Sequence, residues 1–153
     1  MTVESRLKTL NIVLPTPPAP VASYVPYVVS GKNVYISGQV TLASDGLKYV
    51  GIIGKELSIE DGKAAARLCA LNVIAQARAA CGGDLERVKR IVKVTVFVNA
   101  VPGFTQHPEV ANGASDLFVE VFGDAGRHAR AAVGAGSLPR NVATEVEAIL
   151  EIA

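Results

Sequence analysis

Residues 58–83 admit one local structure, and it constrains everything else. Ser58 is a good helix N-cap with Asp61 three residues on, a variant of the capping box, and Gly82-Gly83 supplies the stop. Between them Ala64, Leu68, Leu71 and Ala75 recur at helical spacing, with Lys63, Arg67 and Arg78 elsewhere on the wheel. Such an alanine-rich helix has little bulk and can lie close to a sheet, so the strands must be sought on either side of it.

Before it, runs at 27–30 and 34–39 flank Gly31-Lys32-Asn33 and read as a hairpin, with a third strand expected at 47–51 after the Ser44-Asp45-Gly46 turn. After it, 87–99 is rich in Val, Ile and Thr and reads as a long strand. A second helix is expected from Pro108, where proline suits the first helical position, to Gly123, with Val110, Ala114, Leu117 and Val121 as its apolar stripe. Two final strands, 128–136 and 142–152, flank a turn at 137–141. The expected fold is α+β, a mixed sheet with two main helices on one face.

Upstream, a short helix is expected at 3–10. The segment 14–26 holds Pro15, Pro17, Pro18, Pro20 and Pro26, which excludes regular helix or central strand. The expected organisation is a helix and proline-rich extension over 1–22 and one domain over 23–153.

With 153 residues, half of them apolar, the chain can bury a core. No apolar run reaches the eighteen or more residues of a membrane span, so the high hydropathy points to surface covered by a partner subunit. Nothing at the amino terminus resembles a secretory signal, and Cys69 and Cys81 read as buried thiols in a reducing, cytoplasmic compartment. Two Cys and two His, scattered, make no metal-ligand spacing. A net charge of +1 gives no drive toward nucleic acid or a membrane surface, and Arg87, Lys89, Arg90 and Lys93 read as a solvated end.

Chemistry concentrates near the carboxy terminus. Arg130 sits in an otherwise small, apolar strand. If the last two strands pair about a turn near Leu138, Arg130 lies opposite Glu145 to Glu147, whose acidic side chains share one face. The functional reading is a guanidinium fork that grips a carboxylate, with Glu145 beside it to orient water; the plain one is a cross-strand salt bridge, which spacing alone favours. His128 should share the face of Arg130, as a tuning group or a surface histidine. His107 sits where an N-cap belongs. Gly38, in Ser37-Gly38-Gln39, permits close backbone approach to a ligand, or a bulge.

The stretch Ala129-Arg130…Leu138-Pro139…Glu145-Val146-Glu147-Ala148-Ile149 resembles the signature of the RidA/YjgF reactive intermediate deaminase family. Ser37-Gly38-Gln39, the strand 94–98, Asn112 and Phe118 also fit. The resemblance implies a chorismate-mutase-like fold, homotrimers with clefts between subunits, and no cofactor or metal. It implies hydrolysis of enamines and imines such as 2-aminoacrylate to 2-keto acids and ammonia. Carried over residue by residue, Arg130 matches the carboxylate-binding arginine and Glu145 the glutamate that positions water. Tyr24, Ser37, Gly38, Asn112 and Ala132 match pocket-lining positions. Ala131 and Ala132 stand where the family often has Ser and Cys, and His128 where it often has Pro, marking a divergent subgroup. The alternatives are a non-catalytic module binding small carboxylates or proteins, and a ribonuclease, for which charge and aromatic content offer little.

Overall fold

The computed structural model describes residues 1–17 and 22–153. Pro18 and Pro20 of the expected extension lie outside them. In chain order the elements are α1 (Val3–Thr9), β1 (Tyr27–Ser30), β2 (Asn33–Gln39), a two-residue ribbon of β3 (Leu42–Ala43) and β4 (Gly46–Leu47), α2 (Ile59–Ala80), β5 (Val88–Asn99), α3 (His107–Phe122), β6 (Ala129–Ala135) and β7 (Thr144–Ile152). The main sheet has the order β1-β2-β7-β5-β6. The expected α+β architecture holds, with α2 and α3 on one face of a mixed sheet.

Local chemistry explains the helix ends. Ser58 and Asp61 form the reciprocal capping box, satisfying two backbone N–H groups that the first turn would otherwise leave unpaired. The second helix begins one residue earlier than expected: Gln106 is its N-cap and His107 its first residue. The stripe Val110, Ala114, Leu117 and Val121 is fully buried, each large aliphatic contributing about 1.5–3 kcal/mol over its exposed state. On α2 the buried face lies one residue round from the predicted stripe. Ala65, Ala66, Cys69, Val73 and Ala77 are buried, and of the expected stripe Ala75 is buried too, whereas Ala64, Leu68 and Leu71 are only partly covered. Small side chains and a β-branched valine fit the narrow space under this helix better than leucines do.

α2 and α3 touch at glycines. A Cβ on Gly62 of α2 would come 3.2 Å from both Cγ atoms of Val110 in α3, and one on Gly113 would overlap the Lys63 carbonyl of α2. Leu7 and Leu14, near α1, are buried in the same core.

Two expectations about strands fail. Residues 47–51 do not form a third sheet strand; the main sheet does not include them, and Val50 makes only an isolated bridge to Val142. More consequentially, β6 and β7 do not pair. α3 carries the chain back across the sheet, so β6 runs parallel to β5. The chain then passes over the end of β5 and β7 returns antiparallel along its other side. Asn99, buried at the end of β5, pins that crossing by donating to Val142 O at 3.2 Å and Asn141 Oδ1 at 3.1 Å.

The face of the sheet opposite the helices carries Tyr35, Thr95, Phe97, Val133 and Ile149. Tyr35 and Val133 remain 45% and 43% exposed. These side chains, beside Lys93, Glu145 and Glu147, form a mixed face with apolar surface that nothing in the chain covers among the described residues.

Candidate functional site

Arg130 pairs in register with Val94, which pairs with Ala148 on its other side; this row points toward the helices. The guanidinium therefore meets α3, where Nη1 donates to Asn112 Oδ1 at 2.8 Å and to Ser115 Oγ at 3.1 Å. Both acceptors are neutral. No ion pair among the described residues involves Arg130. A cation held in place without being neutralised is what anion binding requires. Ala132, two residues on, faces the same side and packs against the core.

Ser115, which the sequence reading missed, is the hub of this cluster. A serine in mid-helix carries no local signal, because its role depends on what the next strand brings beside it. Here His128 Nε2 lies 2.8 Å from Ser115 Oγ, and Nδ1 lies 2.6 Å from Gly126 O. Burial, with Arg130 as a smaller contributor, pushes the His128 pKa below its ordinary 6.5. The cluster borders a surface pocket of about 260 Å³ lined by Ser115, Asp116, Val119, Arg127, His128 and Arg130. A larger hollow of about 520 Å³, at the far ends of β5 and β6, holds His107 and Phe104 but none of the expected site residues.

The remaining candidates form a second cluster. Between the pairs Ile36–Ala148 and Gln39–Val146, two residues of β2 oppose one of β7, so Ser37 and Gly38 form a β-bulge. Ser37 Oγ donates to Val25 O at 2.7 Å and its backbone N–H to Pro26 O at 2.9 Å, tying down the segment that carries Tyr24. Tyr24 itself is 58% exposed. Behind the bulge, Gln39 Nε2 donates to Ser37 O at 2.9 Å.

Glu145 lies across Gly38. A Cβ there would fall 2.9 Å from Glu145 Cδ and overlap its carboxylate, so glycine is needed for the carboxylate to rest on the backbone. Burial raises the Glu145 pKa above its ordinary 4.5, and the nearby Glu147 raises it further.

The expected approach of Glu145 to Arg130 does not occur within the chain. β5 lies between their strands, and Glu145 pairs with Phe97, three positions out of phase with the Arg130 row. The two side chains therefore emerge on opposite faces of the sheet. Arg130, Asn112 and Ala132 gather at the β6–α3 edge, while Ser37, Gly38 and Glu145 gather on the uncovered face near β1. No group of three or more His, Cys, Asp or Glu among the described residues is placed to hold a metal ion.

A family model described as YjgF/chorismate mutase-like, with endoribonuclease as the activity put forward in its description, matches residues 4–152. Protein TCP17 of Trypanosoma cruzi is 50% identical over 151 residues, covering 98% of this chain and 94% of its own. The Agrobacterium tumefaciens protein Atu1372 superposes with a TM-score of 0.93 at 44% identity, covering 99% of this chain and 92% of that one. E. coli TdcF, whose crystal structure holds bound serine, gives a TM-score of 0.64 at 25% identity, covering 90% of this chain and 94% of its own.

Proposed function

Because the chain belongs to the YjgF/chorismate mutase-like family, we propose that it hydrolyses small carboxylate-bearing enamines and imines to 2-keto acids and ammonia. The observation that carries this reading is Arg130, fixed by two neutral acceptors and without an acidic partner among the described residues. Both bonds use Nη1, so Nε and Nη2 can present a bidentate fork to a carboxylate. Bound serine in TdcF is a ligand of the same kind, a small amino acid with a free carboxylate.

A protonated imine is already electrophilic, so the site has to hold it and deliver water. Arg130 fixes the carboxylate; Glu145, whose carboxyl titrates above its ordinary value, takes the proton of the attacking water once ionised. Since these groups lie on opposite faces of one protomer, the reading requires a second copy. The β6–α3 edge of one subunit meets the Ser37-Gly38-Glu145 face of the next, with Tyr24 at its rim. Closing that arrangement on itself around the uncovered faces gives a ring, and we take it to be the homotrimer. No metal or cofactor enters this chemistry. The buried, unpaired Cys69 and Cys81 suit a cytoplasmic setting, and no described helix is long and apolar enough to cross a membrane.

The test is release of keto acid from imines generated by an amino acid oxidase. Arg130→Ala should lower kcat/KM by about 30- to 5,000-fold, corresponding to about 2–5 kcal/mol for a broken buried charge contact. Rates no faster than buffer, with wild type and variant alike, would remove the proposal. Calorimetric binding of 2-oxobutyrate without turnover would instead mark a carboxylate-binding module.

A further inference from the structure

The group in this cluster that imine hydrolysis leaves unused is the hydroxyl of Ser115. Its hydrogen-bond polarity follows from its neighbours. Gly126 O can only accept, so at 2.6 Å the His128 Nδ1 must carry the ring proton, which leaves Nε2 a bare lone pair. Nε2 then accepts from the Ser115 O–H at 2.8 Å. The arginine can only donate, so Ser115 Oγ accepts from Arg130 Nη1 at 3.1 Å.

One hydroxyl thus gives its proton toward an imidazole while a fixed cation rests against its oxygen. Both contacts favour the alkoxide over the alcohol. The imidazole is in turn oriented by a third group, the Gly126 carbonyl, and its ring is wedged edge-on against Phe118 at a centroid distance of 5.6 Å. A serine inside a helix ordinarily turns its hydroxyl back on the preceding turn; here it reaches out to the next strand. The hydroxyl opens onto the pocket of about 260 Å³, enough for a short acyl chain.

We infer that Ser115 and His128 form a nucleophile–base pair, a second reactive centre that accepts short acyl groups from donors bearing a carboxylate, which Arg130 holds. In the acylation step the Oγ–H bond breaks and its proton passes to His128 Nε2. The Oγ electron pair forms the new bond to the acyl carbon, and the ester C–O bond breaks with its electron pair leaving on the alkoxide. The imidazolium gives that alkoxide its proton. Water then attacks the acyl carbon and loses a proton to Nε2; the acyl C–Oγ bond breaks with its electron pair on Oγ, which takes the proton back from the imidazolium, freeing the acid and restoring Ser115 and neutral His128.

The charged groups around His128 are Arg130, Arg127 and Asp116, all bordering the same pocket. Burial and Arg130 keep the imidazole neutral to lower pH than usual, so the base form persists across the neutral range.

The experiment treats the intact protein with a dialkyl fluorophosphate and follows intact mass and peptide mapping, which reads Ser115 independently of imine hydrolysis. One adduct on Ser115 is expected, absent in Ser115→Ala and formed about a hundredfold more slowly in His128→Gln, by the usual worth of a general base. Unchanged near-ultraviolet circular dichroism shows that the variants fold. Ser115→Cys provides a second reading: its thiol should alkylate faster than Cys69 or Cys81, both buried. The p-nitrophenyl monoester of succinic acid should acylate Ser115 at least tenfold faster than p-nitrophenyl acetate, a preference lost in Arg130→Gln. No adduct on Ser115, or an equal rate in His128→Gln, overturns the nucleophile–base assignment. Equal rates for the two esters overturn the carboxylate-bearing donor.

Discussion

Replacing Gly113 by alanine separates two opposing effects by the sign of a single measurement. In an exposed helix interior, glycine to alanine stabilises by about 1 kcal/mol, because alanine restricts the unfolded chain and suits the helix. At Gly113 the added methyl would meet the backbone of α2, 2.8 Å from Lys63 C and 3.0 Å from Lys63 Cα, besides overlapping the carbonyl oxygen. Backbone cannot swing aside as a side-chain tip can. α3 would have to withdraw by about 1 Å or more to reach ordinary contact, loosening the dense packing of Val110, Ala114 and Leu117 against the core. A clash against backbone lies at the upper end of the overpacking range, about 2–3 kcal/mol, so after the helix gain the net should be a loss of about 1–2 kcal/mol. With a urea slope of about 2 kcal/mol/M, the midpoint should fall by about 0.5–1 M at fixed protomer concentration. A midpoint that stayed put or rose would refute the close α2–α3 approach. The same shift moves Asn112 and Ser115, so carboxylate binding at Arg130 should weaken in parallel.

Other perturbations read other parts of the molecule. Ser58→Ala removes one half of the capping box and should cost about 1 kcal/mol in denaturant unfolding. Glu145, with its pKa raised in the folded state, holds its proton more tightly folded than unfolded. It therefore contributes a destabilisation that appears as pH rises past 4.5 and is complete above the folded value. In the proposed hydrolysis the acid limb of the pH–rate profile should lie above an ordinary glutamate, and Glu147→Gln should move it to lower pH; a shift upward would contradict the assigned cause. Cys69, fully buried with its thiol pushed up to about 12, should resist iodoacetamide at pH 8 in the native protein and react only on unfolding. Gly38→Ala should displace the Glu145 side chain and lower kcat while leaving the unfolding free energy within about 0.5 kcal/mol of wild type, since only a flexible side chain has to move.

The sequence shows α2 and α3 because their signals are local: a cap, a stop and a repeat of apolar residues. It shows Gly31-Lys32 as a hairpin for the same reason. Strand neighbours are different. Nothing between Ala135 and Thr144 says whether the chain turns back on β6 or crosses β5 first, and a tight-looking turn at 137–141 suits either. That ambiguity misplaced Glu145 beside Arg130. The helix-facing row of Arg130 follows from register with Val94, a long-range fact. Ser115 was illegible for a related reason, since a helical serine acquires its meaning only from His128. The stripe on α2 was shifted because leucine outranks alanine in hydrophobicity, while the space under the helix selects for size.

The position of β7 has a consequence for how the chain reaches its native state. This strand is the central partner of both β2 and β5, yet it is synthesised after every other described strand of the sheet. During translation the first hairpin and the β5–α3–β6 unit can form with α2 packed against both, but their strands do not become one sheet until β7 enters between β2 and β5. Deleting the final strand should therefore leave an unassembled, aggregation-prone mixture of half-sheets. Synthesis interrupted before residue 144 would have the same result, and a quality-control protease would find either product long before any activity assay did.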